Sequence, residues 1–137
     1  MDIRPIDDHF SVSPQIKPED LPALARSGYR VLICNRPDGE EPGQPDSAAM
    51  REAAADAGLA FHYIPVSGGA FPAEAIAAFR DVRTAQEAKM IAYCRTGTRS
   101  ITLETLSNPV DRGVEERLQL AKRAGYDLTP LAARLDK

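Results

Sequence analysis

A cysteine delivered into a short glycine-containing loop, with an arginine five positions later, carries the most chemical content in this chain. The residues are Cys94-Arg95-Thr96-Gly97-Thr98-Arg99-Ser100, directly after the apolar run Met90-Ile91-Ala92-Tyr93. Such a loop can curl its backbone N–H groups around a tetrahedral anion or a sulfur atom. A helix beginning behind it adds partial positive charge, and Arg99 supplies a bidentate fork. The same surroundings favour the ionised thiol, so Cys94 is expected to be a thiolate near neutral pH and a nucleophile. The implied chemistry is cysteine-dependent transfer or hydrolysis. The alternative is a small buried hydrophobe, but packing alone accounts for neither Gly97 nor Arg99.

The remaining candidates each carry a functional and a structural reading. Gly97 permits close backbone approach or a positive φ, or is a plain turn glycine. Arg99 should fold back over the loop centre as the anion clamp, whereas Arg95 either assists or faces solvent. Thr96 and Thr98 would contribute loop amides to the substrate. Ser100 either caps the helix or donates a hydrogen bond to the sulfur. Cys34 ends a neighbouring apolar run and is either a core residue or a resolving thiol for oxidised Cys94. Arg36 is a second candidate cation, and Asp38, Glu40 and Glu41 are candidate acids in the same stretch, or simply a solvated turn. His62 reads as packed or surface rather than basic, and His9 has no readable role.

The elements that must hold these residues follow from apolar periodicity and its stops. Phe10–Ser13 reads as a short edge strand. The 18–26 stretch reads as a helix with Pro18 in its first turn, ended by Gly28. Tyr29–Cys34 is a buried strand, followed by the long polar loop Asn35–Asp46. Ser47–Ala57 is a helix capped by Asp46 or Ser47 and stopped by Gly58. Phe61–Val66 is the next strand, with Ser67-Gly68-Gly69 as a turn. Pro72 to about Ala85 is an amphipathic helix with Ala75, Ile76, Phe79 and Val82 inward. Lys89–Tyr93 is a third strong strand. Ser100–Leu106 is a helix broken at Asn108-Pro109, Gly113–Ala124 another, and Thr129–Leu135 a short last one. Strands alternating with helices imply an α/β fold: a central, mainly parallel sheet flanked by helices on both faces. Sites in such sheets lie at the carboxyl ends of the strands. The loops 35–46, 67–71 and 94–99 all leave carboxyl ends and should converge on one cleft.

At 137 residues the chain is expected to form a single domain, 1–137. Its 43% hydrophobic and 27% charged residues are ordinary for a globular protein. A formal net charge of −3 argues against a nucleic-acid or anionic-membrane partner, so positive charge for an anionic substrate must be local. No apolar stretch approaches the ~18 residues a membrane span needs, and no leader-like N-terminus is present, so a cytoplasmic location is expected. Two cysteines and two histidines, without ligand-like spacing, give no metal site, and no cofactor is expected.

The Cys94–Ser100 segment resembles two families. Dual-specificity-type cysteine phosphatases carry Cys, five residues, Arg, then Ser or Thr; here only four residues separate Cys94 from Arg99. Rhodanese sulfurtransferases often carry Cys-Arg-x-Gly-x-Arg-Ser, which matches residue for residue. Beyond the loop, Val31–Asp38, Gly58–Val66 and Ala124–Leu128 resemble the phosphatase-like domain of beta-lactamase-hydrolase-like proteins, a family also labelled sulfurtransferase. That resemblance implies a cysteine-phosphatase-like fold, with Cys94 as nucleophile and Arg99 as anion ligand. It also places Cys34 where some phosphatases of this fold keep a backdoor cysteine. One departure stands out: Ile64-Pro65-Val66 is followed by Ser67-Gly68-Gly69, with glycine where such phosphatases carry an aspartic general acid. The expected activity is a phosphatase-like hydrolysis of a small phosphorylated or anionic substrate. The alternative is persulfide transfer on Cys94 from a sulfane-sulfur donor, which needs no such acid.

Overall fold

The computed structural model describes residues 1–135; the last two positions of the expected domain, 136 and 137, lie outside the described residues. Its strands are β1 (Arg4–Pro5), β2 (Phe10–Ser13), β3 (Val31–Cys34), β4 (Ala60–Tyr63) and β5 (Met90–Tyr93). Its helices are α1 (Leu21–Arg26), α2 (Ser47–Ala57), α3 (Ala73–Thr84), α4 (Thr98–Ser107) and α5 (Val114–Arg123). Among the described residues, 3₁₀ segments precede α1 (Pro18–Asp20) and follow α5 (Thr129–Arg134). The strand order is β1-β2-β5-β3-β4, with β1 antiparallel to β2 and every other pair parallel.

Both faces of the sheet are covered, as side-chain alternation requires. Val31, Ile33, Met90 and Ala92 point toward Phe79, Ile101, Leu103 and Ala121 from α3, α4 and α5. Leu32, Cys34, Ile91 and Tyr93 point the other way, onto Leu21 and Leu24 of α1 and Met50 and Ala54 of α2. Helix boundaries follow local chemistry. The Asp46 side chain accepts from the Ala49 N–H at 2.8 Å to start α2, and Gly58 at φ 81° ends it. Among the described residues, no helix is long and apolar enough to cross a membrane.

Three expectations shift. Phe10–Ser13 is not an edge: the two-residue β1 lies outside it, leaving β2 between β1 and β5. The Phe61–Val66 strand ends at Tyr63, although the Ile64 N–H still bonds Cys34 O and the Val66 N–H bonds Asn35 O. The helix expected from Ser100 starts two residues earlier, at Thr98.

Candidate active site

The parallel register sets the site. Ser13 and Cys34 both lie opposite Tyr93, and Cys34 also lies opposite Tyr63. The carboxyl ends of β2, β3, β4 and β5 are therefore level, and the residues that follow them emerge at one edge. The loops after β3, β4 and β5 do converge. Arg36, Glu40, Glu41, Gly68, Arg95 and Arg99 together line a cleft of about 390 Å³.

Asn35 ties these loop starts together. Its N–H donates to Tyr93 O at 2.8 Å, its Nδ2 donates to Ile64 O at 2.9 Å, and its Oδ1 accepts from Ser100 Oγ at 2.8 Å. Ser100 thus neither caps α4, whose N-cap is Gly97, nor bonds the sulfur; it anchors α4 to the β3 loop. Asn35 and Ser100 are both fully buried, so their mutual bond satisfies groups that would otherwise be costly to bury.

In the loop, the Gly97 N–H points at Cys94 Sγ, with N···S 3.1 Å. Gly97 sits at φ 94°, and a Cβ there would collide with the Tyr126 hydroxyl, so glycine is required twice over. Tyr126 itself donates its hydroxyl to Thr96 O at 2.9 Å. Thr98 and Thr96 are exposed and bond each other, Oγ1 to Oγ1, at 3.0 Å. Arg95 is exposed, whereas Arg99 is half-buried and close enough to Cys94 for the guanidinium and thiol to interact.

Arg99 is engaged by an internal anion. Its Nη1 donates to Glu40 Oε2 and to Val66 O, and its Nη2 to Glu40 Oε1, each at 2.8 Å. Glu40 is shared with Arg36, whose Nε donates to Oε1 at 2.9 Å. Arg36 also holds Glu41 Oε1 and Gln15 Oε1, both at 2.8 Å, and is itself only 1% exposed. Cys94 has no exposed surface and does not itself line the cleft, whose lining includes Arg99.

The candidate acids are all engaged by hydrogen-bond partners. Arg99 first, and then Arg36, pull the Glu40 carboxyl down to about 2. Arg36 likewise holds Glu41 below its ordinary value. Asp38 accepts from both the N–H and the hydroxyl of Ser47 at 2.7 Å, a role at the start of α2. Gly68, at φ 54°, lines the cleft at the point where related phosphatases are expected to carry an acid. Cys34 is buried on the α1 and α2 face of the sheet, donating to Arg36 O at 3.4 Å, and burial pushes its thiol up. His62 lies on β4; burial first, and then Arg51, holds its imidazole below the ordinary value. Among the described residues no cluster of histidine, cysteine and acidic side chains could hold a metal ion.

Gln15, Asn35 and Tyr126 escaped the sequence reading, and Glu40 was read only as one acid among three. No local pattern marks an Asn that bridges two strand ends, or a Tyr that reaches a loop 30 residues earlier. The positive φ open to Gly97 was the one available hint of a close neighbour.

Comparison with known proteins places this geometry in a family. The model of the beta-lactamase hydrolase-like protein, phosphatase-like domain, matches residues 2–111. The chain belongs to this family. A beta-lactamase hydrolase-like protein of Xylella fastidiosa is 36% identical over 130 residues, covering 93% of this chain and 30% of that protein. The chain thus spans less than a third of the length of that relative. A candidate phosphatase from Neisseria meningitidis, solved by crystallography, is 36% identical with a TM-score of 0.85, covering 99% of this chain and 97% of that one. Tk-PTP in its active form reaches a TM-score of 0.72 at 17% identity, covering 98% and 92%, a likeness of fold alone. The chain therefore has the expected α/β cysteine-phosphatase-like fold, and its family and neighbours are those of phosphatase-like hydrolases.

Proposed function

We propose that this phosphatase-like domain hydrolyses a small phosphomonoester, with Cys94 as nucleophile and Arg99 as oxyanion clamp. The observation carrying the reading is the Gly97 N–H held 3.1 Å from the Cys94 sulfur at the start of α4, with Arg99 of the same helix lining the adjacent cleft. Amide, helix terminus and guanidinium all favour negative charge there. A phosphoryl group entering from the cleft takes the place of Glu40 on the Arg99 fork, which uncovers the sulfur. The other loop amides, of Arg95, Thr96 and Thr98, receive the equatorial oxygens. The thiolate lone pair forms the S–P bond as the P–O bond to the leaving group breaks, and the departing alkoxide takes its proton from water. Water then attacks phosphorus, the S–P electrons return to Cys94, and inorganic phosphate leaves. Ser100 acts through Asn35 by holding α4 in register, and Arg36 keeps its bond to Glu40 when Glu40 leaves Arg99.

Glu40 and Glu41, the carboxyls lining the cleft among the described residues, are held ionised by Arg99 and Arg36, so neither supplies the ~10²- to 10⁴-fold of a general acid. Aryl phosphates, whose leaving groups need no proton, should be turned over far faster than alkyl phosphates. The same commitment of Asp38, Glu40 and Glu41 favours a second reading, sulfur transfer. There Cys94 attacks the outer sulfur of thiosulfate, sulfite leaves as a stable anion, and the persulfide sulfur passes to a thiol or to cyanide. Incubation with an aryl phosphate and, separately, with thiosulfate plus cyanide separates the two. Phosphate release lost in Cys94→Ser supports the hydrolase; thiocyanate without phosphate release refutes it. Under peroxide, a sulfenic Cys94 attacked by the Cys34 thiol would lose water and form a disulfide. A loss of two hydrogens from the whole protein that vanishes in Cys34→Ser tests that trap.

A further inference from the structure

We propose that Tyr126 is a positioning residue that aims the Gly97 N–H at the Cys94 sulfur. The inference deepens the nucleophile reading and rests on it. Thr96 C=O and Gly97 N–H belong to one peptide unit, planar and trans, so fixing the oxygen fixes the direction of the hydrogen. The Tyr126 hydroxyl donates to that oxygen at 2.9 Å, while the N–H on the opposite side of the same plane meets Cys94 Sγ at 3.1 Å. Phenol, carbonyl, amide and sulfur form one hydrogen-bonded chain, in which each bond polarises the next.

A brace is needed at this point because Gly97, at φ 94°, leaves its peptide unusually free to rotate. The brace is itself braced. Gly125, at φ 100°, turns the chain out of α5, and the Tyr126 N–H bonds Ala121 O at 2.9 Å. The Arg4 guanidinium lies 5.1 Å from the centre of the Tyr126 ring and donates to Ala124 O at 3.2 Å. Tyr126 is 7% exposed, and burial pushes its phenol up, so it remains a neutral donor. It lies beyond residue 111, where the family model ends.

Arg99 from α4, Cys34 from β3 and Tyr126 from the C-terminal segment are ionisable groups that interact with Cys94. Tyr126→Phe leaves the first two in place and changes no charge. The rate of Cys94 alkylation by iodoacetamide, located by peptide mass, is measured from pH 5 to pH 10 in wild type and Tyr126→Phe. The variant's profile should move to higher pH, with the rate at its acid end down about three- to tenfold, the value of one hydrogen bond. The Gly97 amide proton resonance should move upfield in the same variant, a readout independent of reactivity. Superimposed profiles with an unmoved Gly97 resonance overturn the role of Tyr126, whatever Cys94 does. A shifted profile in a protein whose Cys94 inorganic phosphate never protects keeps that role and overturns the nucleophile reading instead.

Discussion

Replacing Glu40 by glutamine should tighten oxyanion binding. In the free protein both Nη groups of Arg99 are held by Glu40, and any phosphate on Arg99 must displace that carboxylate. The strength of the grip is visible in Glu40, whose carboxyl lies at about 2 against an ordinary 4.5. At 1.36 kcal/mol per unit, that difference is roughly 3 kcal/mol shared between Arg99 and Arg36. The Glu40 side chain is 28% exposed, and solvent screening removes a large part of the value, leaving ~1 to 2 kcal/mol on Arg99. The side-chain amide in Glu40→Gln would keep a neutral hydrogen bond to the guanidinium without the charge. Phosphate or vanadate affinity, measured by calorimetry near neutral pH, should therefore rise about 5- to 30-fold. Cys94 alkylation in the absence of phosphate should also accelerate, because the cover over the sulfur loosens. Unchanged or weaker oxyanion binding in Glu40→Gln would show that the carboxylate holds Arg99 in place rather than competing for it.

Other outcomes follow from the same contacts. The depressed Glu40 carboxyl stabilises the fold above its unfolded value near 4.5, and that stability is lost as pH falls from about 4.5 toward 2; acid titration of Glu40→Gln by circular dichroism should lack that component. Arg83 and Glu104 form a buried bidentate pair at 2.7 and 2.9 Å, so Arg83→Met should cost ~3 to 5 kcal/mol in urea unfolding by stranding Glu104, and adding Glu104→Leu should recover part of it. Gly97→Ala should abolish phosphate binding, because its Cβ collides with Tyr126 and its φ is strained, while the melting temperature falls only modestly.

The sheet was legible because its strands announce themselves. Val31–Cys34 and Met90–Tyr93 are apolar on both faces, as central parallel strands must be, and Asp46 and Gly58 bracket α2 by local chemistry. β1 carries no such signal in two residues, so Phe10–Ser13 looked like an edge. The start of α4 was misplaced for a related reason. Ser100 through Thr105 are all buried, including Thr102, Glu104 and Thr105, so the helix has no polar face to set its period. In the proposed site, spacing alone singles out Cys94, Gly97 and Arg99. The partners that restrain them were not: Glu40 meets Arg99 across 59 residues, and Asn35 meets Ser100 across 65. Such pairings arise from level strand ends, which no single stretch of sequence displays.

Rapid quenching of the protein with an aryl phosphate in acid, followed by peptide mass mapping, looks for the proposed covalent species itself. A phosphoryl group on the Cys94 peptide, formed and lost at the rate of turnover and missing in Cys94→Ser, is the expected result. Phosphate release that continues in Cys94→Ser, with that peptide never modified in the wild-type protein, would contradict it.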